Sequence, residues 1–252
     1  MAIDHIVELP NDDLGGVSGA KHFHVHFVGK TDTPKFRYIV FNEKVAGEIG
    51  RVMGLPCPEV LVEPFNDRHY FFSHWQEISK SGMELPPQTA AERQTAMANQ
   101  LDIMYGMLVF ELYVANNDRK ADNIKCRSDG TLSLIDHANA LLYYKRSSRS
   151  ASHGIARLGE VSKDIRKMFE DDRLHHFMHL LPKKDVLGKW MERIEAIPNY
   201  FIEAIVLGCP DTEYVKIEYK LRTIEFLIER KKYLSDHIEA HRDFLSKMQG
   251  KA

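Results

Sequence analysis

Three oxygen-bearing side chains stand out by type and spacing. Asp118 is followed, after four residues, by Asn123, and Asp136 closes the apolar run Leu134-Ile135. Phosphoryl transfer needs a carboxylate that orients or accepts the hydroxyl proton of the attacking group. It also needs a carboxylate and a neutral oxygen to hold magnesium on the phosphates. A loop followed by a hairpin delivers all three. The loop presents Asp118, the first strand opens with Asn123, and the return strand ends at Asp136. Each residue alone is an ordinary turn former; their combined spacing, with an apolar strand before Asp136, points to a site.

The elements around them must bring those residues together. Ser128-Asp129-Gly130 is a turn signal between the runs 123–126 and 131–135. Upstream, Met104 to Val114 is apolar nearly all round, which predicts a central buried helix. A capping box at Thr89 to Glu92 starts it. Before residue 80 the chain reads as short strands, HIVEL, KHFHVHFV, EVLVEPF and HYFFSHW, separated by Gly, Pro and Asp. One helix interrupts them, about Asn42 to Met53, with Val45, Ile49 and Val52 on one side. It stops at Gly54-Leu55-Pro56. Residues 79–88 read as a connector. From about 155 the pattern is helical, with Leu221, Ile224, Leu227, Ile228 and Leu234 on one face.

Asn117-Asp118-Arg119, then Asn123-Ile124, then Ile135-Asp136-His137 resemble the catalytic loop and metal-binding segment of HipA-like kinases. The same stretch is similar to the D-R-H-x-x-N loop of phosphoinositide kinases. Asn42-Glu43, an apolar helix and Gly54-Leu55-Pro56-Cys57-Pro58 resemble the HipA-like helix that precedes G-L-P-x-P. The likeness runs from Gly15 to Leu142. It implies an α+β, bilobal, protein-kinase-like fold. A β-rich ATP-binding lobe would span 1–78 and a helical lobe 79–252. It also implies ATP and Mg2+ as cofactors, with Asp118 catalytic and Asn123 and Asp136 on the metal.

Other positions follow from that resemblance. Gly16 and Ser18 lie in a glycine-rich loop whose N–H groups could approach phosphates, though a plain hairpin turn fits them as well. Gln76 and Glu77 fall where the hinge would bond adenine. The resembled kinases carry a strand lysine that grips phosphate and pairs with a helix glutamate, here Glu43 or Glu48. On the strand Phe23 to Phe27 the matching residue is His26. Lys30, read as lying on the turn beyond the strand, is the second candidate; Lys21 and Lys35 are nearby. A histidine there binds phosphate less well at neutral pH, its ordinary pKa being about 6.5.

Composition bounds the function classes. The chain has 252 residues, 34 Lys+Arg against 36 Asp+Glu, a formal charge of −2 and 44% hydrophobic residues. That describes a globular protein able to bury a core, without the basic excess of a nucleic-acid binder. No apolar run reaches the roughly 18 residues of a membrane helix, and the acidic start does not read as a secretory signal. Cys57, Cys126 and Cys209 form no C-x-x-C pair, so a reducing, cytoplasmic setting is expected. His22, His24 and His26 alternate along one strand and, with His69 and His74, could bind zinc; a polar cleft face is the commoner use of such a stripe. The expected activity is ATP- and Mg2+-dependent phosphorylation of a protein Ser or Thr. The alternatives are a small-molecule or lipid kinase, or a nucleotide-binding pseudokinase. Neither a membrane nor a nucleic acid is expected as partner, and the sequence leaves oligomeric state open.

Overall fold

The computed structural model describes residues 6–8, 23–25, 27–74, 95, 97–126, 131–142, 153–169 and 175–247. Among these, three short strands come early: β1 (Ile6–Glu8) pairs antiparallel with β2 (Phe23–Val25), and β3 (Phe27–Thr31) begins a second sheet. That sheet has the order β3-β5-β4, with β4 at Val60–Phe65 and β5 at Arg68–His74. Both of its pairings are antiparallel, and the register sets Lys30 opposite Phe71. Lys30 therefore lies inside a strand, not on a turn beyond it.

Helix α1 (Ile39–Val52) packs on this sheet. Val40, Val60 and Phe71 form a small cluster between them, while Phe41, Val45, Ala46 and Ile49 join the larger core of the helical part. One helix thus touches both bodies of apolar residues, and its polar residues lie between them. It starts three residues earlier than its sequence pattern suggests. Tyr38 at its N-terminus makes no side-chain cap; instead Asp32 reaches back, its Oδ1 accepting the Val40 N–H at 3.0 Å. A cap from seven residues before the helix leaves no local motif to read. The other end is legible: Gly54 has φ +81°, and the Gly54 and Leu55 amides donate to the carbonyls of Arg51 and Gly50, both at 2.9 Å. That is a Schellman ending, which only glycine enters without strain. Val52, expected on the buried side, is 44% exposed.

Helix α2 (Leu101–Tyr113) has nine buried residues in thirteen and sits in the middle of the core. Its Gly106 lies against the Trp190 ring, leaving no room for a side chain. After a polar loop and a 3-10 turn, β6 (Ile124–Cys126) and β7 (Leu132–Leu134) form the expected hairpin. The described elements that follow are helical: α3 (Ile155–Lys163), α4 (Lys184–Glu195), α5 (Asn199–Leu207), α6 (Ile217–Ala240) and α7 (Arg242–Ser246). On α6, Leu227 and Leu234 are buried while Leu221 faces solvent. The architecture is α+β. No described helix is long and apolar enough to cross a membrane.

Candidate active site

Lys30 projects from β3 towards α1. Its Nζ donates to Glu43 Oε1 at 2.5 Å and to Asp136 Oδ1 at 3.0 Å. Burial works against the ammonium, but the Glu43 and Asp136 carboxylates outweigh it and raise its pKa above the ordinary lysine value. Burial pushes the Glu43 carboxyl up against the pull of Lys30. Glu43 has a second attachment: its Oε2 accepts the His137 backbone N–H at 2.8 Å. Asn42 beside it donates to the Ala138 carbonyl at 2.9 Å and accepts the Leu142 N–H at 3.2 Å. The adjacent pair Asn42-Glu43 therefore ties α1 to the segment that follows β7. Glu48, the other candidate partner, pairs with Lys44 one turn back.

Asp136 sits on that segment at φ +61°, in a left-handed conformation that aspartate tolerates better than most residues. Burial disfavours its charge, yet the Lys30 ammonium prevails and holds its carboxyl below the ordinary range. The residue is anionic at neutral pH. His137 behind it is buried, and burial together with the Arg119 guanidinium drives its pKa well down. Its Nδ1 lies 3.0 Å from Arg119 Nη2. A guanidinium has no lone pair to offer, so Nδ1 accepts and Nε2 carries the proton, facing Cys57 Sγ at 3.8 Å.

Asp118 lies in the polar loop after α2. Its Oδ2 accepts from Asn139 Nδ2 at 2.8 Å, and Lys120 Nζ is 3.2 Å from its Oδ1. The Asn123 amide donates through Nδ2 to the Asp118 carbonyl at 3.0 Å, so Oδ1 is the atom that could hold a cation. Asp118 and Asp136 line one cavity of about 290 Å³ with Lys30, Arg37 and Lys120. Two carboxylates and three cations facing one space suit a polyanion carried with a metal ion. No described group of three His, Cys, Asp or Glu gathers to hold a metal unaided. Magnesium is a hard cation that takes one or two protein oxygens and completes its shell with water and phosphate. The Asp136 carboxylate and the Asn123 amide oxygen are donors of that kind.

The structure thus brings together Lys30, Glu43, Asp118, Asn123 and Asp136. Gly16, Ser18, His26, Gln76 and Glu77 lie outside the described residues, as do the side chains of His22, His24 and His74. The strand expected to end at Phe27 gives way to a second sheet that starts there, and Lys30 lies within it, bonded to Glu43 and Asp136. Sequence reasoning gave no role to Arg119, Asn139, Lys120 or Arg37. Asn139, Lys120 and Arg37 stand within three residues of residues already singled out, a usable signal. His175 is fully buried, and burial depresses its pKa strongly.

The α+β fold is similar to that of two solved proteins. A Helicobacter pylori proinflammatory kinase, CtkA, superposes with a TM-score of 0.54 at 15% identity, over 96% of this chain and 97% of that one. The HipA of a Shewanella oneidensis MR-1 toxin–antitoxin system, solved with HipB and operator DNA, gives 0.53 at 12% identity, over 93% of this chain and 67% of that one. At such identities the likeness is one of fold. No family model and no curated protein sequence matches the chain.

Proposed function

We propose that the protein is an ATP- and Mg2+-dependent kinase that phosphorylates a Ser or Thr hydroxyl of a protein. The observation that carries this reading is the Lys30–Glu43 pair, with Asp136 on the same ammonium and Asp118 in the same cavity. The strands and α1 up to residue 78 form the ATP-binding lobe in this reading, and 79–252 the second lobe. Lys30 neutralises phosphate oxygens, while Glu43 holds it in place from below. Asp136 and Asn123 hold magnesium, which supplies charge neutralisation on the phosphates. Asp118 orients the acceptor hydroxyl and takes its proton. The new bond joins that oxygen to the terminal phosphorus, the bridging P–O bond breaks, and ADP leaves with the electron pair. Asn139 keeps the Asp118 carboxylate turned to the acceptor.

The pseudokinase alternative rested on a missing strand lysine. Lys30 beside Glu43 supports the active-kinase reading over it. Incubation with labelled ATP, Mg2+ and cell lysate tests the function, with Asp118→Asn as control. Asp118→Asn should cut transfer by about 10²–10⁴-fold, the range of a lost general base, with the fold retained. Equal labelling by wild type and Asp118→Asn sinks the reading.

A further inference from the structure

The deepest-buried arginine near the site lies outside the proposed machinery yet bonds to the two segments that carry Asn123 and Asp136. Arg119 is fully buried, as is its partner Glu111 on α2. Its Nε donates to Glu111 Oε1 at 2.8 Å, and Nη2 reaches the same oxygen at 2.5 Å. Nη1 donates to the Asn123 carbonyl at 2.8 Å and to the Ile135 carbonyl at 2.5 Å. Nη2 also donates to His137 Nδ1. One guanidinium therefore holds the backbone of Asn123 and the residues on both sides of Asp136. Asp136 has a left-handed φ, a conformation that persists only where its surroundings impose it. Glu111 anchors the whole set to the central helix.

We propose that Arg119 is a positioning residue for the metal-binding pair, setting the distance and direction of Asp136 relative to Asn123. The inference rests on the kinase reading for what the pair binds. Its physical basis is the fork of the guanidinium. Five N–H donors in one plane serve four acceptors lying in different directions, which an ammonium with three donors cannot do. Magnesium demands near-ideal octahedral placement of its ligands, so a small shift of Asp136 should be read first in metal affinity. Arg157 provides a built-in comparison. It is buried too, and it bonds the carbonyls of Leu141 at 2.5 Å and Ala115 at 2.6 Å. Those residues belong to the same two segments but lie away from Asp136.

The test is calorimetric binding of a non-hydrolysable ATP analogue with and without Mg2+, on wild type, Arg119→Lys, Arg157→Lys and Asp136→Asn, with unfolding measured for each. Arg119→Lys should reduce the Mg2+-dependent gain in affinity at least tenfold, approaching Asp136→Asn. Arg157→Lys should lower stability while keeping most of that gain. If Arg119→Lys does not fold, the double variant Glu111→Met/Arg119→Met replaces it, because exchanging a buried ion pair for apolar groups is often tolerated. It should fold and still lose the gain. A folded Arg119 variant with the wild-type gain overturns the inference alone. Losses that merely track stability in both arginine variants overturn it too. A wild type whose nucleotide affinity ignores Mg2+ overturns the metal reading beneath it.

Discussion

Glu43 and Lys30 form an unequal pair: the carboxylate side chain is 2% exposed and the lysine side chain 30%. The carboxylate cannot fall back on water if its cation is removed, whereas the ammonium has partial access to solvent. A buried charge left without its partner is the costly case.

Lys30→Met should therefore destabilise the fold by about 2–3 kcal/mol, below the usual cost for a fully buried pair because Lys30 is partly wet. Adding Glu43→Gln should recover most of that loss, since the amide carries no charge and still offers an oxygen to the His137 N–H. Urea unfolding of the single and double variants gives the comparison. A single variant as stable as wild type would mean that the pair is not bonded in solution. The double variant should remain defective in nucleotide binding.

The same pair fixes how nucleotide binding responds to pH. The two carboxylates hold the Lys30 pKa above its ordinary 10.5. Lysine is thus protonated throughout the neutral range, and its contribution is lost only as pH rises beyond that value. Affinity for an ATP analogue at saturating Mg2+ should stay flat from pH 6.5 to 9, apart from the nucleotide's own titration. A drop through the histidine range that His26→Ala abolishes would transfer the role to His26.

The hairpin site is readable from sequence because its closure is local: Asn123 and Asp136 flank a two-stranded unit with its own turn signal. Asp118 lies five residues before it. The buried central helix is readable as well, since Met104 to Val114 is apolar on all sides. The position of Lys30 is harder. Alternating His and aromatic residues suggest one strand from Phe23 to Phe27, while the described strands are Phe23–Val25 and Phe27–Thr31. Two short strands assigned to different sheets cannot be told from one longer strand by period alone. Long-range bonds are invisible for a similar reason. Asp32 caps α1 and Arg119 grips Ile135 through contacts that no local pattern records.

Asp136 should matter more than Asn123 to Mg2+-dependent nucleotide binding, because an anion neutralises more metal charge than an amide does. The informative substitution is Asp136→Asn. Its φ of +61° suits Asn, whereas Ala would add backbone strain of about 1 kcal/mol and blur the result. Calorimetry should show a larger loss of the Mg2+-dependent gain for Asp136→Asn than for Asn123→Ala. Equal losses would place the metal away from the Asp136 carboxylate.

Asp32 gives the fold a pH dependence of its own. Its Oδ1 accepts the Val40 N–H, while Oδ2 is buried without a hydrogen-bond partner. Burial raises its pKa to about 6, against the lowering effect of hydrogen bonds from Val40, Thr212 and Ile39. The folded value exceeds the unfolded one, so between about 4 and 6 the native state binds more protons. Stability from this group therefore falls as pH rises through that window, and the penalty is complete above it. A shift of about two units corresponds to about 2–3 kcal/mol. Asp32→Asn keeps an oxygen for Val40 and carries no charge. The difference in unfolding free energy, Asp32→Asn minus wild type, should rise by about that amount from pH 4 to pH 7 and then level. Whatever the new amide N–H groups cost near Oδ2 adds a constant that does not vary with pH. Denaturant curves of both proteins at pH 4, 5, 6, 7 and 8 measure the difference directly. A flat difference across the series would show that Asp32 titrates as an exposed carboxylate and that its cap on α1 is solvated.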